Sequence, residues 1–224
     1  MSFLDTILGS SPKSVEAIIT DVTRMSGDKV CVAALAQGKS IRLHEPPPRE
    51  DWVESIGGLA PGDLVKLDWR PARRFRRPHA EDGAWSPATL EKLATLSEED
   101  LMKRLHALAF RGVIDAFGRP WTYSERGNAA FKPDRGSRSL ASVAVRFVRM
   151  YEHGEGLRVD FADGKAEWRM VPLEDLALRN QRSVKGFECG EAILRIGLGR
   201  PFEANGKAPA CYLQVNHIFP IAGR

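Results

Sequence analysis

The sequence predicts a mainly β protein with a helical insert, built as two small β-barrels in tandem. Short β-rich runs separated by turn residues fill residues 15–85 and again residues 139–224. Strands this short and this closely spaced are typical of small barrels rather than of a parallel sheet. Residues 86–138 instead combine helical periodicity with a long aperiodic stretch. We therefore expect an N-terminal tail over residues 1–14, two barrels, and an insert with a long basic loop between them.

Four β-rich runs define the first barrel. Val15–Val22 and Lys29–Leu35 flank the turn residues Ser26–Asp28, and a short strand is expected at Ser40–Leu43. A proline and a glycine then open Asp63–Trp69, in which apolar and polar residues alternate. Period-two alternation is the pattern of a strand, so this run is expected to be a strand of the first barrel.

The insert begins with a helix and continues as a loop. Ser97 and Asp100 have the spacing of a capping box, and leucines then recur at helical intervals to about Phe110. From Gly118 to Ser139 the chain has no periodicity, and it is rich in glycine and basic residues. Loops of that length in a compact protein are usually functional or mobile.

The clearest hairpin of the second barrel is Leu157–Val171. Asp163-Gly164 predicts a two-residue type I′ turn, which sets the register of the two strands. The apolar cross-strand pairs are then Phe161 with Ala166, Val159 with Trp168, and Leu157 with Met170. On the polar face, the same register opposes two like-charged pairs, Arg158 with Arg169 and Asp160 with Glu167, which repel.

A short helix at Pro172–Asn180 and two further strands, Glu191–Leu198 and Cys211–Phe219, complete the second barrel. Alternation along these two strands predicts a polar, partly aromatic face. The residues expected on it are Arg195, Tyr212, Gln214 and Asn216. Such a face is either a binding surface or an ordinary solvated sheet surface.

Trp69–His79 is the most chemically distinctive segment of the chain. It contains no acidic residue, and Phe75 and His79 are interleaved with the five arginines Arg70, Arg73, Arg74, Arg76 and Arg77. Guanidinium groups bind phosphate in a fork geometry and stack on flat rings. Its prolines exclude a regular helix, so we expect an exposed loop after a strand. The alternative is that this loop is simply solvated, or that its arginines pair with acidic residues elsewhere in the chain.

The long loop of the insert is a second basic segment. Its arginines include Arg126, Arg135 and Arg138, which we expect to contribute to the same phosphate-binding function. The chain as a whole has a formal charge of only +4. The argument for a polyanionic partner therefore depends on where the positive charges cluster.

Composition restricts the other function classes. Hydrophobic content of 43% and charged content of 28% are ordinary for a soluble globular protein. Cys31, Cys189 and Cys211 are widely separated, which argues against a disulfide framework or a structural zinc site. We expect a reducing cytoplasm, no cofactor and no bound metal, and neither a membrane span nor a signal peptide is recognisable.

Several short segments resemble a bacterial family described as dual OB-domain proteins. They are Ile19–Met25, Val30–Ala33, Pro61–Asp63, Arg77–Asp82, Arg138–Leu140 and Cys211–Asn216. Together they extend over nearly all of the chain after residue 14, and none is a catalytic signature. The resemblance implies two oligonucleotide/oligosaccharide-binding (OB) barrels, and it implies no settled activity.

The leading interpretation is a non-catalytic protein that binds single-stranded DNA or RNA. One alternative is an interaction subunit that docks an acidic partner within a larger nucleic-acid-handling or defence complex. A second is a metal-dependent enzyme using His79, Glu81 and Asp82. The sequence His79-Ala80-Glu81 fits the H-x-E of zinc deaminases, but no P-C-x-x-C follows it.

Overall fold

The computed structural model describes residues 12–119, 121–123, 128–154, 156–181, 186–203 and 208–221. Strands account for 54% of the structure and helices for 14%, so the predicted mainly β class is confirmed. The chain divides into two compact units. Unit 1 contains residues up to Arg76 and Glu81–Leu101, and unit 2 contains Arg77–Ala80 and the residues from Met102 onward. Within the described ranges, no helix is long and apolar enough to cross a membrane.

Unit 1 is a closed five-stranded barrel. Its elements are β1 Lys13–Arg24, β2 Val30–Ala36, β3 Lys39–Glu45, α1 Glu50–Ser55, β4 Asp63–Pro71, β5 Asp82–Trp85, a 3₁₀ turn Pro87–Thr89 and β6 Glu91–Thr95. The strand order is β1-β2-β3-β5-β4, β4 also pairs with β1, and β6 lies beside β4. β3 and β5 are parallel and the other pairs are antiparallel. This is the closed Greek-key connectivity of an OB barrel.

Alternation along β4 determines which face of the strand fills the barrel. Val65 and Leu67 of β4 lie opposite Ala17 and Val15 of β1. Ala17, Val65 and Leu67 are almost fully buried, while Lys66 between them is exposed. One face of the pair therefore fills the interior, and a shift of one residue would expose it.

Unit 2 is a curled half-barrel. Its elements are α3 Val113–Phe117, β7 Trp121–Tyr123, β8 Ala129–Phe131, β9 Leu140–His153, β10 Gly156–Ala162, β11 Glu167–Pro172, α4 Leu176–Arg179, β12 Phe187–Leu198 and β13 Cys211–Pro220. They form a sheet with the order β11-β10-β9-β12-β13-β8-β7. Leu173, just after β11, bridges Val215 of β13 in parallel. Strands β9 to β13 thus follow the OB order, but they close less completely than those of unit 1.

A helix α2, Glu98–Ala107, contains the point where the chain passes from one unit to the other. The predicted capping box is confirmed, because Ser97 Oγ accepts a hydrogen bond from Asp100 N at 3.1 Å. Helix α2 ends at Ala107, three residues before the end predicted at about Phe110. Phe110 instead pairs with β9, donating to Ser142 O and accepting from Ala144 N, both at 2.9 Å.

The stretch expected to be an aperiodic loop contains two paired strands. β7 and β8 are antiparallel, and β8 extends the sheet beyond β13. Apolar contacts hold them in place, since the Trp121 ring lies 5.3 Å from Phe131 and 5.2 Å from Trp168, centroid to centroid. Three-residue strands are too short to produce a recognisable period, so packing rather than local pattern determines them.

The predicted register of the β10–β11 hairpin is wrong. Phe161 lies opposite Trp168, and Ala162 lies opposite Glu167, because the turn contains four residues instead of two. Asp163 Oδ1 accepts hydrogen bonds from Lys165 N at 2.7 Å and Ala166 N at 2.9 Å, which stabilises the longer turn. The register is shifted by two residues at this point. Because side chains alternate with a period of two, the apolar side chains stay on the same face of the sheet.

A β-bulge in β11 follows the turn, and it changes the cross-strand pairs on the polar face as well. Met170 has φ of +59°, and its backbone N–H donates to Asp160 Oδ1 at 2.8 Å instead of to a ladder carbonyl. Beyond the bulge, Arg158 lies opposite Pro172. The two like-charged pairs expected from the sequence therefore do not form.

Trp168 is buried, as predicted. Only 1% of its surface is exposed, its ring stacks on Phe161, and its indole N–H donates to Asp163 Oδ2 at 2.9 Å. It therefore contributes packing to the core and a hydrogen bond to the turn.

We expect Trp168→Ala to lower the free energy of unfolding by about 3–5 kcal/mol, because it removes a large ring from a packed core. Trp168→Phe is the matched control, since it keeps a ring while losing the hydrogen bond to Asp163, and it should cost less. Urea unfolding followed by circular dichroism measures both values. A cost below about 1 kcal/mol for the alanine variant would contradict this packing role.

Candidate nucleic-acid interface

The arginine-rich loop projects from the end of β4 and is anchored at both ends. We define the arginine loop as residues 72–79. Ala72 is buried, and its N–H donates to Asp82 O at 2.9 Å. Pro78 and His79 are buried at the other end. Between these anchors the side chains are exposed, namely Arg73, Arg74, Phe75, Arg76 and Arg77.

Phe75 is the most unusual side chain of this loop. It is 52% exposed, although a phenylalanine is among the residues most often buried in folded proteins. Arg73 and Arg74, which precede it, form no ion pair with any part of the chain that the structure describes. The loop therefore presents an apolar ring among positive charges.

Arg70 does not belong to the exposed loop. It lies on β4, opposite Ala84 of β5, and it is half-buried. The sheet therefore fixes its backbone.

The second basic segment meets the arginine loop within unit 2. Arg77 O accepts a hydrogen bond from Asp134 N at 3.1 Å, and Arg135, the next residue, is exposed. Arg77 and Arg135 are thus held on neighbouring backbone segments. Sequence alone could not place together two arginines that are 58 positions apart in the numbering.

Arg138 has a partner within unit 2. Its guanidinium lies 4.6 Å from the centre of the Phe110 ring, a cation–π contact, and the residue is half-buried. This contact holds the Arg138 guanidinium over the Phe110 ring. Arg126, the remaining predicted arginine of this segment, lies outside the described residues.

The expected polar face of β12 and β13 is wrong for two of its four residues. Arg195 and Asn216 are each only 1% exposed. The Arg195 guanidinium donates to Ser142 Oγ at 3.1 Å, and Asn216 Oδ1 accepts from Gln214 Nε2 at 2.8 Å. β12 is buried on both faces from Ala192 to Leu198, so alternation did not identify an outer face. Tyr212 and Gln214 are half-buried.

The residues of the alternative metal site are buried rather than exposed in a loop. His79, Glu81 and Asp82 are 1%, 8% and 2% exposed. One Asp82 oxygen accepts a hydrogen bond from the Arg42 guanidinium at 2.9 Å, so its charge is matched by a buried cation. Within the described ranges, no group of three or more histidine, cysteine or acidic residues has the arrangement of a metal site.

The cysteines lie in or beside strands, and none is in a disulfide. Desolvation raises the pKa of the Cys31 thiol, although the positive charge of Arg42 opposes this effect. Desolvation also raises the pKa of Cys189. Because the thiolate is the reactive form, neither environment activates the sulfur as a nucleophile.

We expect Cys31 and Cys189 to react slowly with iodoacetamide at pH 8, because their raised pKa values keep the thiols protonated there. Alkylation followed by mass spectrometry of the folded protein, with the urea-unfolded chain as reference, measures each site. Raising the pH should speed both reactions. Equal rates in the folded and unfolded chains at pH 8 would contradict the stated environments.

The sequence analysis missed an exposed aromatic residue on unit 2. Phe147 is 49% exposed and has φ of +45°, an uncommon conformation for a bulky residue. The pairing of β9 with β10 shifts at this point, from Phe161 opposite Val148 to Ala162 opposite Arg146. The pairing with β10 creates a bulge at Phe147. The sequence Arg146-Phe147-Val148-Arg149 has the local pattern of an ordinary strand, so no sequence signal identifies the bulge.

Phe147 borders an open groove of about 440 Å³ on unit 2. The charged residues around it are balanced in sign. Arg149 pairs with Glu188 at 3.3 Å, and Arg169 pairs with Glu167 at 2.9 Å. Hydrogen bonding to Glu167 raises the pKa of Arg169. This groove therefore presents a less positive surface than the arginine loop.

Comparison with known proteins adds fold-level likeness alone. No family model matches the chain, and no curated protein matches it. Among solved structures it is similar to the p204 HINb domain, at 12% identity over 92% of this chain and 96% of that one, with a TM-score of 0.38.

Two other similar structures were solved with DNA. A murine DNA-binding protein bound to double-stranded DNA is 7% identical over 96% and 98% of the two chains, with a TM-score of 0.40. The Ifi202 HINa domain in complex with 20bp dsDNA is 8% identical over 93% and 94%, with a TM-score of 0.40. These scores are too low to transfer a site, so the functional argument depends on the geometry above.

Proposed function

We propose that this protein binds nucleic acid without catalysis and holds single strands through the arginine loop. The observation that supports this most directly is the 52% exposed Phe75 within a run of exposed arginines that has no acidic residue. Phosphates are the partner that a dense guanidinium cluster binds best, and bases stack on exposed rings.

The anchoring of the loop strengthens this proposal. A flexible basic tail loses conformational entropy when it binds, whereas the start of the loop, fixed at Ala72 by its hydrogen bond to Asp82 O within unit 1, has already lost part of it. Within unit 2, the contact between Arg77 O and Asp134 N holds Arg135 beside Arg77. Arg77 and Arg135 would therefore bind neighbouring phosphates along a strand.

The type of strand is a separate step of the proposal. An exposed ring favours single strands, because their bases are available for stacking. Two of the similar structures are described as bound to double-stranded DNA. Because that likeness is weak, the duplex is included in the experiment as a competing ligand and not as the expected one.

We expect the triple variant Arg73→Ala, Arg74→Ala, Arg76→Ala to bind single strands of any sequence more weakly. The slope of log affinity against log salt should fall by about 0.7 per lost phosphate contact, or about 2 in all. Fluorescence anisotropy across a salt series, with DNA, RNA and duplex DNA, measures this slope.

The matched control replaces three exposed basic residues of unit 1 outside the loop, Arg24, Lys29 and Arg49, by alanine. It removes the same net charge, so a site-specific effect must be larger in the loop variant. If the loop variant and the parent show equal affinities and slopes, the loop is not the nucleic-acid site. Docking of an acidic partner protein then becomes the better interpretation of the arginine loop.

Phe75→Ala tests stacking apart from charge. It should weaken single-strand binding by about 1–3 kcal/mol while leaving the salt slope unchanged, because stacking involves no counterion release. Phe202→Ala is the control, since Phe202 is also exposed, at 62%. Thermal unfolding should be close to that of the parent for both variants. Equal losses from the two variants would show that Phe75 has no specific contact with a base.

A further inference from the structure

Unit 2 contains a second cavity, formed by residues that the arginine loop does not involve. Its volume is about 320 Å³, and the side chains of His106, Arg111, Arg146 and Glu191 line it. Ala144, Val145 and Ala192 lie beneath it, but Val145 and Ala192 are buried in the core and present almost no side-chain surface to the cavity. The cavity is open to solvent and combines two guanidinium groups, a histidine and one carboxylate, all of them exposed.

Arg111 and Arg146 differ in their partners from three other arginines of unit 2. Arg149, Arg169 and Arg179 each pair with a glutamate. Arg111 and Arg146 form no ion pair with any described residue, although Arg146 lies directly across the strands from Glu191. Two cationic groups without an acidic partner therefore face the same cavity.

Backbone hydrogen bonds position the walls before any ligand binds. Ala144 N donates to Phe110 O at 2.9 Å, which fixes the residue preceding Arg111 against β9. Ile221 N donates to Glu191 O at 2.9 Å and places the last described residue at the rim. These bonds fix the backbone of the walls, whereas the exposed side chains of Arg111 and Arg146 lose rotamer freedom when a ligand binds.

The turn of the β10–β11 hairpin completes the wall. Gly164 lines the cavity, and a Cβ at this position would lie 3.6 Å from Arg111 O. The turn therefore lies in van der Waals contact with the backbone of Arg111. The adjacent Asp163 accepts a hydrogen bond from Val113 N at 2.8 Å, which holds the segment after Arg111 to the same turn.

We propose that this cavity binds the phosphate group of a small phosphate ester of mononucleotide size. Arg111 and Arg146 bind the phosphate oxygens in fork geometry, and His106 donates a further hydrogen bond. Glu191 accepts hydrogen bonds from hydroxyl groups of the ligand, a contact that inorganic phosphate does not reproduce. The volume lies at the lower end of the range for small-molecule pockets. This proposal does not depend on strand binding by the arginine loop.

The test is titration calorimetry of the full chain with adenosine monophosphate, adenosine and inorganic phosphate. Adenosine monophosphate should bind at least about tenfold more tightly than adenosine, because the phosphate contributes charge-assisted hydrogen bonds. Arg111→Ala and Arg146→Ala should each reduce the affinity for adenosine monophosphate about tenfold. Arg146→Lys should restore part of that loss.

Two further variants make the result specific. Arg149→Ala is the matched control, because Arg149 is an exposed arginine of the same strand, and it should leave the affinity unchanged. Glu191→Gln should tighten binding of inorganic phosphate about two- to fivefold, since it removes a repelling charge. Circular dichroism spectra matching the parent establish that each variant is folded.

Three outcomes overturn the proposal. They are equal affinities for adenosine monophosphate and adenosine, an unchanged affinity in both arginine variants, and no binding of any of the three probes. If Arg111→Ala and Arg146→Ala weaken only oligonucleotide binding, the cavity contacts a strand phosphate and not a small ester. If instead the arginine loop does not bind strands, the variant of Arg73, Arg74 and Arg76 will bind nucleic acid like the parent. The calorimetry with adenosine monophosphate is unaffected by that result.

Discussion

The carboxylate of Asp163 is the interaction on which most of unit 2 depends. Its Oδ1 accepts from Lys165 N and Ala166 N, and its Oδ2 accepts from Val113 N and the indole N–H of Trp168. One side chain therefore sets the hairpin turn, holds the first turn of α3 and orients the largest ring of the core. A partly buried carboxylate with four donors is charge-stabilised without a cation, and each donor would otherwise need another partner. The cavity lined by Arg111 and Arg146 depends on the same contacts, because they bring the turn to the segment before α3.

Unit 1 depends on a comparable contact at the base of the arginine loop. Asp82 accepts from the Arg42 guanidinium through its side chain and from Ala72 N through its backbone. The first contact neutralises a buried charge within the barrel, and the second fixes the residue where the loop begins. Removing one partner of such a pair leaves an uncompensated buried charge, which is far more costly than the pair's net contribution. The loop thus begins at a residue that is hydrogen-bonded to the same aspartate that pairs with Arg42 inside the barrel.

The sequence predicts most strands, the mainly β class and the burial of Trp168, because alternation and turn residues are local signals. It fails where one side chain redirects the backbone, as Asp163 does when it converts a predicted two-residue turn into a four-residue turn. It also fails for Arg195 and Asn216, since alternation separates two faces of a strand but cannot show that both are covered. The exposed arginine loop was recognisable from composition and prolines alone. The Arg111 and Arg146 cavity was not, because its residues come from separate segments that only the tertiary fold brings together.

The arginine loop and the cavity both contain exposed guanidinium groups, and the arrangement of these groups determines what each can bind. Around the exposed Arg73 and Arg74, water screens every contact, so a ligand must supply several phosphates before the summed attraction becomes strong. A polymer meets that condition. At the cavity, Arg111 and Arg146 are also exposed, but the two guanidinium groups and His106 lie around one site and can all bind the oxygens of a single phosphate. A small ester is then sufficient. The arrangement of arginines along a loop or around a cavity therefore distinguishes the proposed polymer-binding surface from the proposed small-ligand site within one chain.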